Sequence, residues 1–552
     1  MAIIRPRPFF AVGEIFDIHS DDMTDNHQAN KQENNIEAID KGSGITAPFA
    51  KGIPVACAVK PVRKITLTLG VFFDGTGNNA FNSGLRLKSC LAESEGYNNS
   101  QVKGILNACE VDRFGLQGDI ARTSYDGSYT NVQCLYNLYR DDGNPQFSTP
   151  EDNIQFRYYV EGIGTVNGEA DSSVGLATGK YGTGIIAKTD RAIEIINKTL
   201  LNSIKRFRGI EIESLQFDIF GFSRGAAAAR HFSNRIMKHD DGLFSTLTNI
   251  FQSADIVWTN HANLFIRFLG LFDTVAAVAT PDPSSADTGD VNIYLPVGLA
   301  KRVFHITAEH EFRYNFSLNS VKPGYPELSL PGAHSDIGGG YHPIETEDYF
   351  INRPVYNTVP KSMENMATSA YKQADQERQT RLADPIWGPM LQKADTWIQL
   401  WEAPVPTEKQ SGRLKYVGAA IRMQRNVSNG WSLAIMRVML DAAEEAGCEF
   451  DKSEIDIDYP VPPELHPLMY KARAQGKATR NGGEIIPFTA KEIAQLAETF
   501  IHCSANWKAI KKNSKTQQDI LDDDAIYANI FFPNRPTSNG KRTVYDLQGK
   551  QI

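Results

Sequence analysis

The sequence predicts an α/β fold in which a mostly parallel sheet carries helices on both faces. Apolar runs of strand length recur at 64–73, 154–160, 215–220 and 264–272, and a loop that begins with Asp, Glu or Gly follows each of them. Amphipathic stretches of helical period, such as 185–207, separate these runs. Strands that alternate with helices pair in parallel through right-handed crossovers, so the pattern favours one parallel sheet.

The composition is that of a globular protein of 552 residues, with 41% hydrophobic and 22% charged side chains. The formal net charge is −8, from 57 basic and 65 acidic residues, so no overall positive field favours nucleic acid as a partner. The six cysteines lack the C-x-x-C spacing of zinc sites, and we expect reduced thiols rather than a disulfide framework. These observations indicate neither a metal nor a cofactor.

Residues 1–60 are polar and irregular, and 21–35 are rich in Asp, Asn, Gln and Glu. This composition predicts an arm with little core of its own, suited to a docking role. Glu14 and Asp17 interrupt the first apolar stretch before it reaches signal-peptide length, and no run approaches the roughly 18 apolar residues of a membrane span. We therefore expect synthesis in the cytoplasm without a cleavable signal peptide.

The patterns divide the chain into the arm at 1–60, a core at 61–350 and a mainly helical region at 351–552, which would form a cap or face a membrane or partner. Insertions are expected in the core at about 83–150, 240–262 and 279–300. The segment 240–262 is rich in apolar side chains, which suit either a packed helical connection or a lid that meets an acyl chain.

The apolar run at 215–220 leads into Gly221-Phe-Ser223-Arg-Gly225 and then four alanines. In α/β-hydrolases this Gly-x-Ser-x-Gly order forms a strand, a sharp turn and a helix, and the turn presents the serine hydroxyl above the sheet edge. Arg224 would then place its backbone N–H at the first turn of the helix, where it can stabilise an oxyanion. The motif alone arises by chance in roughly one such chain in five, so an ordinary strand–helix turn is the alternative.

The strand predicted at 64–73 ends in Asp74-Gly75-Thr76. An apolar strand followed by Asp-Gly-Thr is also typical of haloacid dehalogenase phosphatases, but their nucleophilic aspartate would stand where this chain has Phe72. The favoured interpretation is a hydrolase loop in which the backbone N–H of Gly75 or Thr76 supplies a second oxyanion donor. A tight turn that merely needs glycine is compatible with both.

Candidate partners for Ser223 follow later strands. Asp273 comes directly after the strand at 264–272, 50 residues past the serine, where the acid of a Ser…Asp…His order belongs, although an aspartate there is often a cap. His334 stands in a glycine-rich loop after the last predicted strand and is the candidate base. Asp336 is the rival acid, but it lies only two residues from the histidine. His305 is expected to be a satisfied core residue because it lies within a strand.

Four motifs in this order resemble one family: Phe73–Asn79, Gly221–Gly225, Leu271–Thr274 and His334–Tyr341. Over about residues 64–345 the chain resembles the α/β-hydrolase domain of type VI secretion lipase effectors of the first group. The resemblance implies a triad of Ser223 as nucleophile, Asp273 as acid and His334 as base, with membrane phospholipid as the substrate. It also implies an antibacterial phospholipase A that a secretion spike protein delivers to the periplasm or membrane of a target cell, and that a cognate immunity protein neutralises in the producing cell.

Two other classes of function remain open from the sequence. One is a non-catalytic docking module that keeps the hydrolase fold as a body for a secretion partner. The other is an esterase or peptidase that acts on a soluble substrate and lacks an apolar rim around its cleft. A complete triad argues against the first, and hydrolysis of membrane lipid would argue against the second.

Overall fold

The computed structural model describes most of the chain from residue 63 onward. The described residues are 63–76, 78, 128–143, 152–163, 184–207, 209–239, 241–258, 263–276, 288–403, 413–507, 510–512, 519–521 and 534–552. The polar arm expected at 1–60 lies outside them. So do most of the insertion expected at 83–150 and part of the one expected at 279–300.

Seven parallel strands of the described chain form the central sheet. They are β1 (Arg63–Phe73), β2 (Asn153–Val160), β3 (Ile210–Phe222), β4 (Val257–Trp258), β5 (Leu264–Phe272), β6 (Ala300–Ala308) and, after the short β7 (Leu318–Asn319) that pairs elsewhere, β8 (Glu327–Leu330). The order is β2-β1-β3-β5-β6-β8, and β4 pairs with the start of β3. Every pairing is parallel, so the carboxyl ends of the strands meet at one edge. The predicted α/β class with a mostly parallel sheet is confirmed.

The strands are almost continuously apolar because both faces of the sheet are covered. In β1, Val71 and Phe73 pack on one face and Phe72 packs on the other, and none of the three is more than 1% exposed. The ring of Phe72 stacks on that of Phe220 in β3, with centroids 4.7 Å apart. Full burial of such a ring contributes about 1.5–3 kcal/mol to stability.

Helices cover both faces of the sheet. In the described chain they are α1 (Asn131–Leu138), α2 (Ile185–Ile204), α3 (Arg224–Met237), α4 (Asp241–Ser253), α5 (His334–Gly338), α6 (Ser369–Leu382), α7 (Trp387–Lys393), α8 (Gly430–Glu445), α9 (Ile455–Asp458), α10 (His466–Asn481) and α11 (Ala490–Thr499). Helices α2, α3 and α4 share one hydrophobic core with the sheet, and α1, α8 and α10 share the other.

The described region after residue 350 packs against the central sheet. Helix α8 contributes Trp431, Ile435 and Met439 to the same core as Phe220 and Phe268 of the sheet. Residues 62–552 accordingly form one compact unit. The physical reason is that a parallel sheet needs cover on both faces, and the segments between its strands place most of their helices on one of them.

Beside its helices, the chain after residue 343 also forms an antiparallel sheet. A four-stranded antiparallel sheet is formed by β9 (Ile344–Phe350), β10 (Val355–Pro360), β11 (Asp395–Ala403) and β12 (Leu414–Ser428). Charged residues interrupt the apolar pattern of these strands and are paired across them: Arg425 Nε donates to Glu347 Oε2 at 2.8 Å. Such pairs are long-range, so a local reading of the sequence does not reveal them.

Two short strand pairs lie toward the end of the chain. Strand β13 (Ile510–Lys512) pairs antiparallel with β14 (Asp519–Leu521), and β15 (Val544–Tyr545) pairs in parallel with β7. Among the helices that the structure describes, none combines the length and apolar character needed to cross a bilayer.

Candidate active site

The predicted site residues meet at the carboxyl edge of the sheet. Asp74, Ser223 and Asp273 follow β1, β3 and β5, which are adjacent strands, and His334 follows β8 at the same edge. In open α/β sheets ligands bind at this edge because loops there converge without backbone pairing. The topology therefore brings together residues that are far apart in the sequence.

Ser223 occupies a strained turn between β3 and α3. Its φ of 58° and ψ of −128° are an unusual conformation for a residue with a side chain. Its N–H donates to Phe272 O at 3.0 Å, and its carbonyl accepts from Val275 N at 3.3 Å and from Ala226 N at 3.0 Å. The neighbouring strand end thus holds the turn that the Gly-x-Ser-x-Gly motif predicts.

The two glycines of the motif are required by close backbone contacts. A Cβ added to Gly221 would lie 2.6 Å from Cα of Ala226, and one added to Gly225 would lie 2.2 Å from the carbonyl oxygen of Asp74. The loop after β1 therefore rests directly on the first turn of α3. Any side chain at Gly225 would separate these two segments.

We expect Gly225→Ala to lower the free energy of unfolding by at least about 3 kcal/mol, because the new methyl group meets backbone that cannot rotate away. Chemical denaturation monitored by circular dichroism measures the effect. Gly483→Ala is the matched control, since its added Cβ would make only ordinary contacts of 3.4 Å and more. Equal stability of both variants would show that the first turn of α3 and the loop after β1 are not in the close contact described.

Asp273 and His334 form a buried acid–base pair. His334 Nδ1–H donates to Asp273 Oδ2 at 2.5 Å, and Asp273 Oδ1 accepts from Ala308 N at 2.9 Å. The imidazole lies beside Phe222, the residue before the serine, with ring centroids 4.6 Å apart. Among the described residues no hydrogen bond joins the Ser223 hydroxyl to the imidazole, and such bonds often tighten only when substrate is bound.

The electrostatics of the pair favour an ionised acid and a neutral base. Burial by itself raises the pKa of Asp273, but the charge of Arg542 and the hydrogen bond from His334 outweigh it and hold that pKa well below its usual range. Burial lowers the pKa of His334, and Asp273 only partly offsets the shift. A neutral imidazole with Nδ1–H held by a carboxylate leaves Nε2 as the proton acceptor.

Arg542, which no sequence motif marks, contacts Asp273 directly. Its Nη1 and Nη2 donate to the two carboxylate oxygens of the aspartate at 2.7 and 2.8 Å. The partners are 269 residues apart in the chain. The only signal in the sequence is the short β-prone stretch at 543–546, which indicates structure but no partner.

Asp336, the rival acid, hydrogen-bonds groups other than the imidazole of His334 in the described chain. Its Oδ1 accepts from His502 Nδ1 at 2.6 Å, and its Oδ2 accepts from the backbone N–H groups of Ala333 and His502. Both oxygens of this carboxylate are therefore engaged by Ala333 and His502. Burial lowers the pKa of His502, but the charge of Asp336 outweighs it and the net shift is upward.

A second buried carboxylate, Glu311, anchors the start of α5, the short helix that His334 begins. Its Oε2 accepts from His334 N at 3.2 Å, from Ser504 Oγ at 3.0 Å and from Arg313 Nη2 at 2.7 Å. Burial raises the pKa of Glu311, but Arg313 outweighs it and brings the value to about 2. Like Arg542, Ser504 comes from the last 50 residues, so the C-terminal part of the chain supports the start of α5.

The loop after β1 differs from its predicted role in one respect. Gly75 N–H donates to Asp74 Oδ1 at 2.7 Å, which leaves that N–H engaged rather than directed at an oxyanion. The same carboxylate accepts from Thr130 Oγ1 at 2.7 Å and from Tyr159 Oη at 2.5 Å. Burial raises the pKa of Asp74 to about 6, against the lowering effect of these three donors.

The segment predicted as either a packed connection or a lid is packed. The apolar side chains of α4, with Trp258 just after it, face the core, and four of them are at most 2% exposed: Leu243, Leu247, Ile250 and Phe251. The lid interpretation is therefore wrong for the described residues 241–258. His305 is satisfied in the core as predicted, since its Nδ1 bonds Glu327 at 2.9 Å and its Nε2 accepts from Thr274 N at 3.1 Å.

No cluster of three or more His, Cys, Asp or Glu side chains suited to a metal ion occurs in the part of the chain that the structure describes. Cys134, Cys448 and Cys503 are free and buried there.

Comparisons with known proteins agree with the resemblance. The model of the family described as T6SS, phospholipase effector Tle1-like, catalytic domain, matches residues 247–369, which include Asp273 and His334. Among solved structures, the chain is similar to the Tle1 effector bound to the VgrG spike from the type 6 secretion system, with 33% identity and a TM-score of 0.65 over 88% of this chain and 95% of that chain.

A weaker likeness, to an uncharacterized protein from Pseudomonas aeruginosa, has 17% identity and a TM-score of 0.35 over 79% of this chain and 53% of that one, and it carries no argument. A comparison of the sequence with curated proteins finds no match. The identity of 33% over nearly nine tenths of the chain is decisive. The chain belongs to the Tle1-like family of type VI secretion phospholipase effectors.

Proposed function

We propose that this effector is a phospholipase A that hydrolyses acyl esters of membrane glycerophospholipids with Ser223 as nucleophile, His334 as base and Asp273 as acid. The observation that carries the proposal is the 2.5 Å hydrogen bond between His334 Nδ1 and Asp273 Oδ2, at the sheet edge where Ser223 occupies its strained turn. Membership of a phospholipase effector family supports the same chemistry.

The proposed reaction proceeds in two steps. His334 Nε2 takes the Ser223 hydroxyl proton as Oγ attacks the acyl carbonyl, and the tetrahedral intermediate then expels the lysophospholipid alkoxide, which receives that proton. Water next attacks the acyl-serine ester while His334 removes its proton, and the collapse of the second intermediate releases the fatty acid and restores the serine. Asp273 keeps the imidazole in the required tautomer throughout.

Backbone N–H groups would stabilise the two oxyanions. Arg224 is the first residue of α3, so its N–H points out of the helix start beside the nucleophile. Gly75 is engaged by Asp74, and we assign the second donor to Thr76, the next residue of the same loop. The absence of a side chain at Gly225 lets that loop rest on the first turn of α3, next to Ser223.

The partners follow from the family. The related Tle1 effector is bound to a VgrG spike, and we propose that this chain is likewise delivered by a spike protein of a type VI system. Its destination would be the periplasm or membrane of a target cell, where phospholipid is accessible. A cognate immunity protein would protect the producing cell.

The pH dependence should follow His334, which must be neutral to accept the serine proton. Because burial lowers its pKa from the ordinary 6.5, we expect kcat/KM to be near its maximum at pH 7 and to fall only as the pH drops through that lowered value. The measurement is kcat/KM against pH on a short-chain diacyl phospholipid. An acid limb with its midpoint above pH 7 would contradict the described environment of the imidazole.

Fatty-acid release from vesicles of phosphatidylethanolamine and phosphatidylglycerol tests the proposal. The matched control is vesicles of the dialkyl ether analogues, which present the same surface but no acyl ester. Release from the ester vesicles alone, with lysophospholipid as the second product, supports a phospholipase A. Hydrolysis of soluble esters but not vesicles would indicate an esterase, and no hydrolysis of either would favour a docking module.

A further inference from the structure

Asp273, the acid of the proposed triad, is bound by a second buried side chain, that of Arg542, which has no role in the reaction so far. Arg542 meets Asp273 side by side, with Nη1 on Oδ1 at 2.7 Å and Nη2 on Oδ2 at 2.8 Å. Its Nε donates to Phe316 O at 2.6 Å, and only 7% of its side chain is exposed. A bidentate arginine fixes the plane of a carboxylate, which a single hydrogen bond does not.

The main chain on the C-terminal side of Arg542 is docked against β7. Leu318 N donates to Thr543 O at 2.9 Å and Ser320 N donates to Tyr545 O at 2.8 Å, which gives the β15–β7 pair. Asn319 N in turn donates to Thr274 O, the residue after the triad acid, at 2.9 Å. A continuous set of backbone bonds therefore connects the tail to the end of β5.

The positive charge of the Arg542 guanidinium balances the negative charge of the buried Asp273 carboxylate. Asp273 is fully buried, and a buried carboxylate without a positive partner favours a protonated neighbour. An imidazole of His334 that is already protonated at rest cannot accept the serine proton. With the imidazole neutral, Arg542 is the positive group in direct contact with Asp273.

We propose that Arg542 is a positioning residue for the reaction, which neutralises and orients the Asp273 carboxylate, and that the C-terminal tail is thereby a working part of the active site. This inference rests on the proposed triad. It predicts that the contribution of Arg542 acts through His334 and is visible in the titration of that imidazole. A tail that served only to hold the fold together would leave this titration unchanged.

The expected direction follows from the charges around the imidazole. Asp273 and Glu311 raise the pKa of His334, and Arg313 lowers it. Arg542 weakens the field of Asp273, so its removal should raise the pKa of His334 and move the acid limb of kcat/KM to higher pH. The same change can be read without substrate, from the NMR titration of protein labelled with ¹⁵N-histidine.

Three variants make the test. Arg542→Gln removes the charge and should lower kcat/KM roughly 100-fold through misplacement of the acid, with the His334 titration shifted to higher pH. Arg542→Lys keeps the charge and loses the paired geometry, so we expect a loss of about tenfold and a smaller shift. Lys541→Gln removes a charge from the exposed neighbouring residue and should leave both readouts unchanged.

A folded Arg542→Gln variant with an unshifted His334 titration would overturn the proposal, whatever its activity. Should that variant fail to fold, Arg542→Lys decides, since an unshifted titration together with wild-type kcat/KM would overturn it as well. Absence of lipid hydrolysis by the wild type would count against the proposed function instead. The NMR titration would still report whether Arg542 controls the acid–base pair.

Discussion

Replacing Ser223 by alanine will reduce fatty-acid release from phospholipid vesicles by roughly 10⁵-fold or more, because no other group in the proposed mechanism can form the acyl intermediate. The turn itself should survive, since alanine keeps the Cβ that the backbone already accommodates at φ 58°. The measurement is the initial rate of release at saturating lipid, with thermal unfolding recorded for each protein.

Ser233→Ala is the matched control for this substitution. Ser233 lies on the same helix, α3, and its hydroxyl donates to Ala229 O at 2.8 Å within that helix. Its loss should leave the rate within a few-fold of the wild type. A Ser223→Ala protein that folds normally and still releases fatty acid at a comparable rate would exclude Ser223 as the nucleophile.

Asp273→Asn should lower kcat by about 10⁴-fold, the size of effect that this substitution has in other serine triads. The amide nitrogen of asparagine can only donate to Nδ1, so the imidazole adopts the tautomer with its proton on Nε2. That tautomer offers the serine hydroxyl no proton acceptor. The loss should exceed any effect on stability. The rate of covalent labelling by an alkyl phosphonate checks it, because that reaction needs the activated serine but no lipid interface.

Asp336→Asn is the matched control, since it changes the rival carboxylate two residues from His334. Its partner is His502 at 2.6 Å, so the substitution should weaken the anchoring of the loop and lower stability more than it lowers the rate. A loss of labelling in Asp336→Asn as large as that in Asp273→Asn, with both proteins folded, would contradict the assignment of Asp273 as the acid.

Local signals in the sequence were sufficient to predict the carboxyl edge of the sheet and the three residues of the candidate triad. Each of Ser223, Asp273 and His334 directly follows a strand or the turn after it, and strands of continuous apolar residues are readable over six to ten positions. Because parallel strands end at a common edge, order along the chain already predicts that these residues converge. The resemblance to the effector family rests on the same short motifs.

Only the tertiary structure shows which charged groups are paired and which helices cover the second face of the central sheet. Asp336 and His502 are 166 residues apart, Asp273 and Arg542 are 269 apart, and neither pair leaves a periodic or motif signal. The same holds for helix α8, because the sequence of that helix does not show on which face of the sheet it packs. Ion pairs and packing contacts depend on where the backbone brings side chains together in space, so only the folded chain shows that its C-terminal tail contacts the triad acid.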